Sequence, residues 1–553
     1  MRLPRPTPRR LLFMLLSAAS ASMALAGCAS APADVHAPRH PATRAVEVPR
    51  IARPAGESAA WWFRDGAAQA AARGAMSGDA RNVILFVGDG MSLPTVAAAR
   101  ILAGQRAGNP GEAHRLSWED FPATALSRTY NTDAQTPDSA GTMTAMATGV
   151  KTRAGHISVG PSAPSGDCDA GQAADLLTLW ELAATEGLAT GVVTTTRVTH
   201  ATPATTFAHG TDRGWEFDTR MPDAVRAAGC TDFARQLVQS TLGPDVLLGG
   251  GRTFFLPSTQ ADPEYPDRKG ARGDGANLIA EWRQRHPGGT YVWNAAQLAA
   301  ASTDGPLLGL FQPSDMQYEH DRPADAAGEP SLADMTRAAI TRLRRDAEGF
   351  VLLVEGGRID HAHHDGNAYR ALTDTIALAE AVQAAVDMTS ADDTLVIVTA
   401  DHSHTLGFVG YPVRGNPILG LVRETTGGTP ETDTNGLPYT TLVYANGPGY
   451  AGPGRPDLSA VDTTAPDYLQ EAMVPMGAET HGGDDVGVWA RGPGSSAVRG
   501  SIEQNAIFHL MLQATPRLRD ALCERGLCNG DGVPVQLPRR EEFVPASVVL
   551  TSG

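Results

Sequence analysis

Phe350-Val-Leu-Leu-Val-Glu355-Gly-Gly-Arg-Ile-Asp360-His-Ala-His-His364 sets five apolar residues directly against a run of carboxylates and imidazoles. The unbroken apolar run 350–354 is the pattern of a strand buried on both faces. Similar short, β-branched runs stand at 82–87, 191–196, 245–248, 394–399, 441–445 and 486–490. Helical patterns fall between several of them, at 173–186, 223–239, 331–345 and 368–387. Strands and helices in alternation predict an α/β fold, a three-layer sandwich with a central, largely parallel β-sheet. Residues 405–480, rich in Gly, Pro and Thr with one clear strand, break the rhythm and read as an inserted small subdomain.

In a parallel sheet the C-terminal strand ends form the ligand crevice, and here they deliver metal-ligand types. The first run ends in Gly88-Asp89-Gly90, the 350–354 run in Glu355, Asp360 and His361 to His364, and the 394–399 run in Asp401-His402-Ser403-His404. Glu479-Thr-His481-Gly-Gly-Asp-Asp485 precedes the last run. Singly, each has a plain reading: Gly-Asp-Gly a turn, Asp-His a surface pair, the His tract solvated. Together they place carboxylates after buried strands, where unpaired charge is expensive unless cations offset it. Asp360 and His364, four apart, face the same way on a helix. Mixed His and carboxylate ligands suit Zn²⁺, and all-oxygen sets suit Mg²⁺. Thr136-Pro-Asp-Ser139-Ala-Gly-Thr142 precedes an Ala- and Met-rich helical stretch. Ser139 there is either an N-cap or, beside zinc, an activated nucleophile. Arg213 is a candidate phosphate clamp, because a guanidinium matches two phosphate oxygens in a fork.

Composition bounds the partners. With 45 Lys and Arg against 61 Asp and Glu, the net charge of −16 argues against nucleic-acid binding and against attraction to anionic membranes. A 553-residue chain, 42% hydrophobic, is long enough for a large core, and no apolar run reaches the roughly 18 residues of a membrane span. The start reads as an address: Arg9-Arg10, an apolar core from Leu11, then Leu25-Ala26-Gly27-Cys28. This is the pattern of a lipoprotein signal over 1–27 with acylation of Cys28; an ordinary secretory leader and a twin-arginine signal are the alternatives. Residues 28–55, rich in Ala, Pro and Arg, read as a tether, 56–530 as the catalytic domain, and 531–553 as a polar tail. A helix carrying Trp61, Trp62 and Phe63 opens the domain and packs on the body or on a partner subunit. The four remaining cysteines allow three connectivities; Cys523 and Cys528 would close a small loop and leave Cys168 with Cys230.

The motifs resemble the alkaline phosphatase family, its animal-type branch more than the short enteric-bacterial one. The matching text is Asn82-Val-Ile-Leu-Phe-Val-Gly-Asp89-Gly-Met91, Thr129-Tyr-Asn-Thr132, Pro137-Asp-Ser139-Ala-Gly-Thr142, Thr194-Thr-Thr-Arg-Val-Thr-His200-Ala-Thr202-Pro203, Val354 to His361, Thr399 to His404 and Thr480-His481-Gly-Gly, in family order across about 57–530. The resemblance implies two Zn²⁺ and one Mg²⁺ per chain. Asp360, His364 and His481 would hold the first zinc. Asp89, Asp401 and His402 would hold the second, with Ser139 as fourth ligand. Asp89 would also reach Mg²⁺, together with His200, Thr202 and Glu355. Arg213, eleven residues after Thr202, takes the clamp role, and His361 lies near the phosphate. His200 stands where some bacterial relatives have Asp, so Mg²⁺ should bind more weakly and zinc compete. The cysteine pairs above match those of animal-type members. Glu264, the Phe311 carbonyl and Glu329 align with a structural Ca²⁺ site, with Gln312 replacing a carboxylate and weakening it. The stretch 440–450 resembles the part that caps the active-site entrance, and a homodimer is implied, with the helix that carries Trp61 to Phe63 at its interface.

The implied activity is metal-dependent hydrolysis of phosphate monoesters through a phosphoserine at Ser139, releasing phosphate and an alcohol. The rivals are a phosphodiesterase or sulfatase on the same fold, and a non-catalytic, lipid-anchored metal or phosphate carrier. A sulfatase needs C-x-P-x-R or its Ser counterpart around its nucleophile, where this chain has Asp-Ser-Ala-Gly; a carrier is expected to lack the nucleophile or the clamp. The expected location is periplasmic or cell-surface, anchored to the outer membrane through Cys28, since Ala29 and Ser30 offer no inner-membrane retention Asp.

Overall fold

Every residue from Val83 to Gly88 is buried. That is the demand a strand meets at the middle of a sheet covered on both sides. In a computed structural model describing residues 46–50, 56–424 and 428–544, the strands in chain order are β1 Asn82–Gly88, β2 Ala123–Arg128, β3 Ala189–Arg197, β4 Val246–Gly250, β5 Thr290–Val292, β6 Leu307–Leu310, β7 Phe350–Gly356, β8 Thr394–Ala400, β9 Ser403–His404, β10 Leu406–Phe408, β11 Leu442–Gly447, β12 Ala472–Pro475, β13 His481–Gly482, β14 Val486–Arg491 and β15 Arg499–Glu503. Ten of them form one sheet in the order β15-β2-β14-β8-β1-β7-β3-β4-β6-β5. All neighbours are parallel except β14, which runs antiparallel to both β8 and β2.

Alternation along β1 builds the three layers. Val83, Leu85 and Val87 enter one core with Phe63, Met143, Met146 and Ile507 from helices Ala59–Ala72, Ser139–Thr148 and Ala506–Ala514. Ile84 and Phe86 enter the other with Val96, Ile340 and Leu378 from helices Leu93–Arg106, Leu332–Leu343 and Ala368–Met388. Within 405–480, β10, β11 and β12 form a separate three-stranded sheet, so the strand expected at 441–445 does not join the main one.

Several expectations change. The helix expected at 173–186 begins only at Leu179, because Thr178 and Glu181 close a capping box there, while Asp175 and Leu176 bridge to Val159 and Arg539. The helix expected at 223–239 is two, Asp223–Ala227 and Phe233–Gln239, separated by Gly229 at φ 91°. Of the two readings of the helix at 61–63, Trp62 and Phe63 take packing on the body, buried in the chain's own core at 2% and 0% exposure. The polar tail is packed as far as it is described: Arg540 donates to Glu181, and Val533 and Val535 bury against Ala67 and Ala71. The signal, Cys28 and the tether to residue 45 lie outside the described residues. Among those described, no helix is long and apolar enough to cross a membrane.

Candidate active site and metal centre

Strand register assembles the site. Gly88 pairs with Ala400 across β1 and β8, so Asp89 and Asp401 leave the sheet side by side. Val87 pairs with Glu355 on the other flank. Helix Arg358–His364 follows β7 at once and carries Asp360 and His364. β9 and β13 pair His404 with His481, drawing the 479–485 segment over the same edge.

Asp138, not Ser139, caps helix Ser139–Thr148: its Oδ1 accepts the Gly141 N–H at 3.1 Å. Ser139 is the first helical residue, and its hydroxyl is turned to the site. Its Oγ lies 3.1 Å from Nε2 of His402 and 3.4 Å from Oδ1 of Asp89. Nε2 of His402 lies 3.4 Å from Asp89 and 3.3 Å from Oδ2 of Asp401. A second group surrounds Oδ1 of Asp360, with Nε2 of His364 at 3.4 Å, of His481 at 3.3 Å and of His404 at 2.7 Å. Asp89, Glu355, Asp401, His402 and His481 therefore sit at strand ends, Asp360 and His364 on the helix that follows β7, and Ser139 at the start of its helix, while His200, Thr202 and Arg213 come in on the segment after β3.

Three imidazoles are arranged alike. Nδ1 of His364 faces the Glu479 carbonyl at 2.5 Å, Nδ1 of His481 the Pro137 carbonyl at 2.8 Å, and Nδ1 of His402 the Ser403 carbonyl at 3.3 Å. A carbonyl only accepts, so each ring carries its proton on Nδ1 and turns a bare Nε2 to the carboxylates. That is how proteins orient imidazoles toward a cation. Ligand atoms of Asp89, Asp401 and His402 lie within 4.8 Å of one another, as do those of Asp360, His402, His404 and His481, and those of Asp89, His200 and Glu355. In and beside the third group, the buried Oδ2 of Asp89, Oε1 of Glu355 and Oγ1 of Thr202 have no hydrogen-bond partner among the described residues. Three oxygens with open lone pairs fit a hard cation. Nε2 of His200 accepts from Nη2 of Arg213 at 3.0 Å. While Arg213 holds it, the proton of His200 stays on Nδ1 and the ring adds no second lone pair to that set.

Charge supports the same fit. Burial, reinforced by Asp401, Asp360 and Glu355, drives Asp89 well above the usual carboxylate range, and burial raises Glu355 to about 7. Burial would also raise Asp360, but the hydrogen bond and the charge of His404 outweigh it and hold Asp360 well below the usual carboxylate range. Carboxylates crowded and dried in this way are what divalent cations neutralise.

Sequence reasoning gave no role to His404 or Glu479. They meet across 75 positions, Nδ1 of His404 on Oε2 of Glu479, while Oε1 takes the Thr405 N–H and hydroxyl. Their only sequence signal was membership in polar runs after strands. Asp138, inside the motif that carries Ser139, has a second task that its residue type does not announce: its Oδ2 accepts from Nη1 of Arg213 at 3.1 Å. At the aligned calcium position, Nη2 of Arg252 lies 2.7 Å from Glu264, Gln312 donates to Asp325, and Glu329 accepts the Gln317 N–H. A fixed guanidinium thus already neutralises one carboxylate of that set. Cys168–Cys230 and Cys523–Cys528 are bonded.

Residues 80–516 match the family model described as alkaline phosphatase. The chain is 45% identical over 444 residues to the tissue-nonspecific alkaline phosphatase isozyme of Felis catus, covering 78% of this chain and 83% of that protein. It is 44% identical over 445 residues to the isozyme of the same description from Homo sapiens, covering 79% and 83%. Among solved structures, Thermus thermophilus alkaline phosphatase aligns at a TM-score of 0.56 and 27% identity, covering 80% of this chain and 92% of that one. With a hydroxyl, a guanidinium and three metal-ligand groups at one sheet edge, the chain belongs to the alkaline phosphatase family, whose reaction is the hydrolysis of phosphate monoesters.

Proposed function

We propose that Ser139 is the nucleophile and Arg213 the phosphate clamp of this reaction, served by two Zn²⁺ and one Mg²⁺ per chain. Asp360, His364 and His481 hold the first zinc, and Asp89, Asp401, His402 and Ser139 the second. Asp89, Thr202 and Glu355, with His200 beside them, hold Mg²⁺. The observation that carries this reading is the shared orientation of His364, His402 and His481, each donating Nδ1–H to a backbone carbonyl and presenting a bare Nε2.

Bound there, the cations neutralise the carboxylates and make a neighbouring hydroxyl or water acidic enough to act near neutral pH. Ser139 Oγ gives up its proton to solvent and attacks phosphorus in line. The bond from phosphorus to the alcohol oxygen breaks, that oxygen takes up a proton from solvent and leaves as the alcohol, and the phosphoryl group rests on Ser139 Oγ. The fork of Arg213, steadied by Asp138, holds two equatorial oxygens through both steps. Water then attacks the phosphoserine, Ser139 recovers its proton, and phosphate leaves. The helix beginning at Ser139 directs its free N–H groups to the same charge.

The same reading places the chain outside the cytoplasm, as a lipoprotein anchored through Cys28 and working as a homodimer, with 405–480 at the entrance. Acid quenching during turnover should trap phosphate on Ser139, and Ser139→Ala should lower kcat by several orders of magnitude with fold and metal content kept. Label on another residue, or a wild-type rate in the variant, would sink the assignment.

A further inference from the structure

His361 sits edge-on to His200, ring centres 5.6 Å apart, and is no metal ligand in the arrangement proposed above. Its Nδ1 is 2.7 Å from Nη1 of Arg358. A guanidinium has donors only, so this nitrogen must accept, and the neutral ring then carries its proton on Nε2. Nε2 of His361 has no hydrogen-bond partner among the described residues and is not among the atoms sealed from solvent.

Arg358 is unusual among the arginines of this region. It has no carboxylate within ion-pair distance among the described residues, and its buried Nε has no partner. Its place is nevertheless fixed. The Tyr318 ring lies 3.7 Å from the guanidinium carbon, and the Tyr318 hydroxyl donates to Asp365 at 2.7 Å. The Arg358 N–H donates to Oγ1 of Thr195 at 3.1 Å. A braced cation whose one side-chain hydrogen bond goes to an imidazole does not fit a stability role well, because an exposed or carboxylate-paired position would be cheaper.

We propose that Arg358 is a positioning residue that locks His361 in the Nε2–H tautomer, so that the ring offers phosphate oxygens a neutral donor of fixed direction. An imidazole free to choose its tautomer would often turn a lone pair to those oxygens and repel them. A neutral donor grips ester and product phosphate alike, so its effect belongs in binding rather than in kcat. The inference rests on the reading of Ser139 and Arg213 as the phosphate site.

The test is the ¹⁵N spectrum of histidine-labelled, metal-loaded protein, with the His361 signals identified by their loss in His361→Gln. The wild type should show Nε2 protonated and Nδ1 bare. Arg358→Met, which keeps the length and removes the donors, should show a mixture or the opposite tautomer. KM for p-nitrophenyl phosphate and Ki for inorganic phosphate should rise together, about threefold to tenfold, with kcat within about twofold. A wild-type His361 protonated on Nδ1, or an unchanged tautomer in Arg358→Met, overturns the proposal. If Arg358→Met does not fold, the wild-type spectrum still decides it. The spectra need no turnover: should Ser139→Ala keep full activity, the reaction scheme falls while the tautomer result stands separately.

Discussion

One carboxylate, Asp138, caps the helix that begins at Ser139 and also holds Arg213: Oδ1 takes the Gly141 N–H and Oδ2 takes Nη1 of Arg213, both at 3.1 Å. The proposed nucleophile and the proposed clamp are therefore placed by a single side chain. Asp138→Asn keeps a good cap but weakens the hold on the guanidinium, whereas Asp138→Ala loses both. We expect Ki for phosphate to rise about threefold to tenfold in each, from one charge-assisted hydrogen bond lost. Only the Ala variant should also lose about 1 kcal/mol of stability. Phosphate inhibition unchanged in both would show that Arg213 does not depend on Asp138.

His404 lies behind Asp360 and against Glu479. Residues that orient a metal ligand from behind typically contribute 10- to 100-fold in affinity or activity. His404→Ala should weaken zinc binding by about that factor, read as the free Zn²⁺ concentration that half-restores the stripped protein. Glu479→Gln should show a smaller effect of the same sign. A His404→Ala protein that retains zinc through the same dialysis as wild type removes His404 from this role.

Chelation should abolish activity, and Zn²⁺ with Mg²⁺ together should restore it. Because Nε2 of His200 accepts from Arg213, the proposed Mg²⁺ would be left with the oxygens of Asp89, Thr202 and Glu355. His200→Asp adds an anionic oxygen, so this variant should bind Mg²⁺ more tightly and need less of it in a rate titration after matched dialysis. Equal or weaker Mg²⁺ affinity in the Asp variant would refute this account of the third group.

Acid sensitivity has a source remote from the metals. Burial would raise Glu181, but His209 and Arg540 more than reverse this and hold it at about 2. A carboxylate lowered from about 4.5 contributes stability that is fully present above pH 4.5 and lost as pH falls toward 2. His209 is shifted the other way: burial opposes its charge, and Glu181 and Asp175 prevail. Its share is fully present below about pH 6.5 and fades as pH rises through its folded value. Glu181→Gln should lower the melting temperature at pH 6, and the gap to wild type should close between pH 4.5 and 2. A constant gap across that window would mean that the charge of Glu181 is immaterial.

The sheet and most of the candidate ligand positions are legible in the sequence because buried parallel strands are apolar from end to end and their polar C-terminal ends stand out. β2, Ala123–Arg128, was not: it alternates buried and exposed positions in a short run of Ala, Thr, Ser and Leu that carries little strand preference. The cap at Asp138 was missed because Asp138 and Ser139 are both good N-caps, and backbone geometry, not residue type, decides between adjacent candidates. His404 and Glu479 were missed because their pairing depends on the β9–β13 ladder, two residues long and joining segments far apart in sequence.

The Cys168–Cys230 bond has a consequence for how the enzyme must be made. It ties helix Cys168–Gln172 to the turn after Ala227, and that helix is what Thr211 leans on, with its hydroxyl on the Asp167 carbonyl and its methyl against Gly171. Thr211 is two residues from Arg213. A chain produced in a reducing cytosol would thus hold Arg213, the proposed phosphate clamp, less firmly while keeping its sheet, so that a preparation folded by circular dichroism should be poorly retained on a phosphate-mimic resin until its thiols are oxidised.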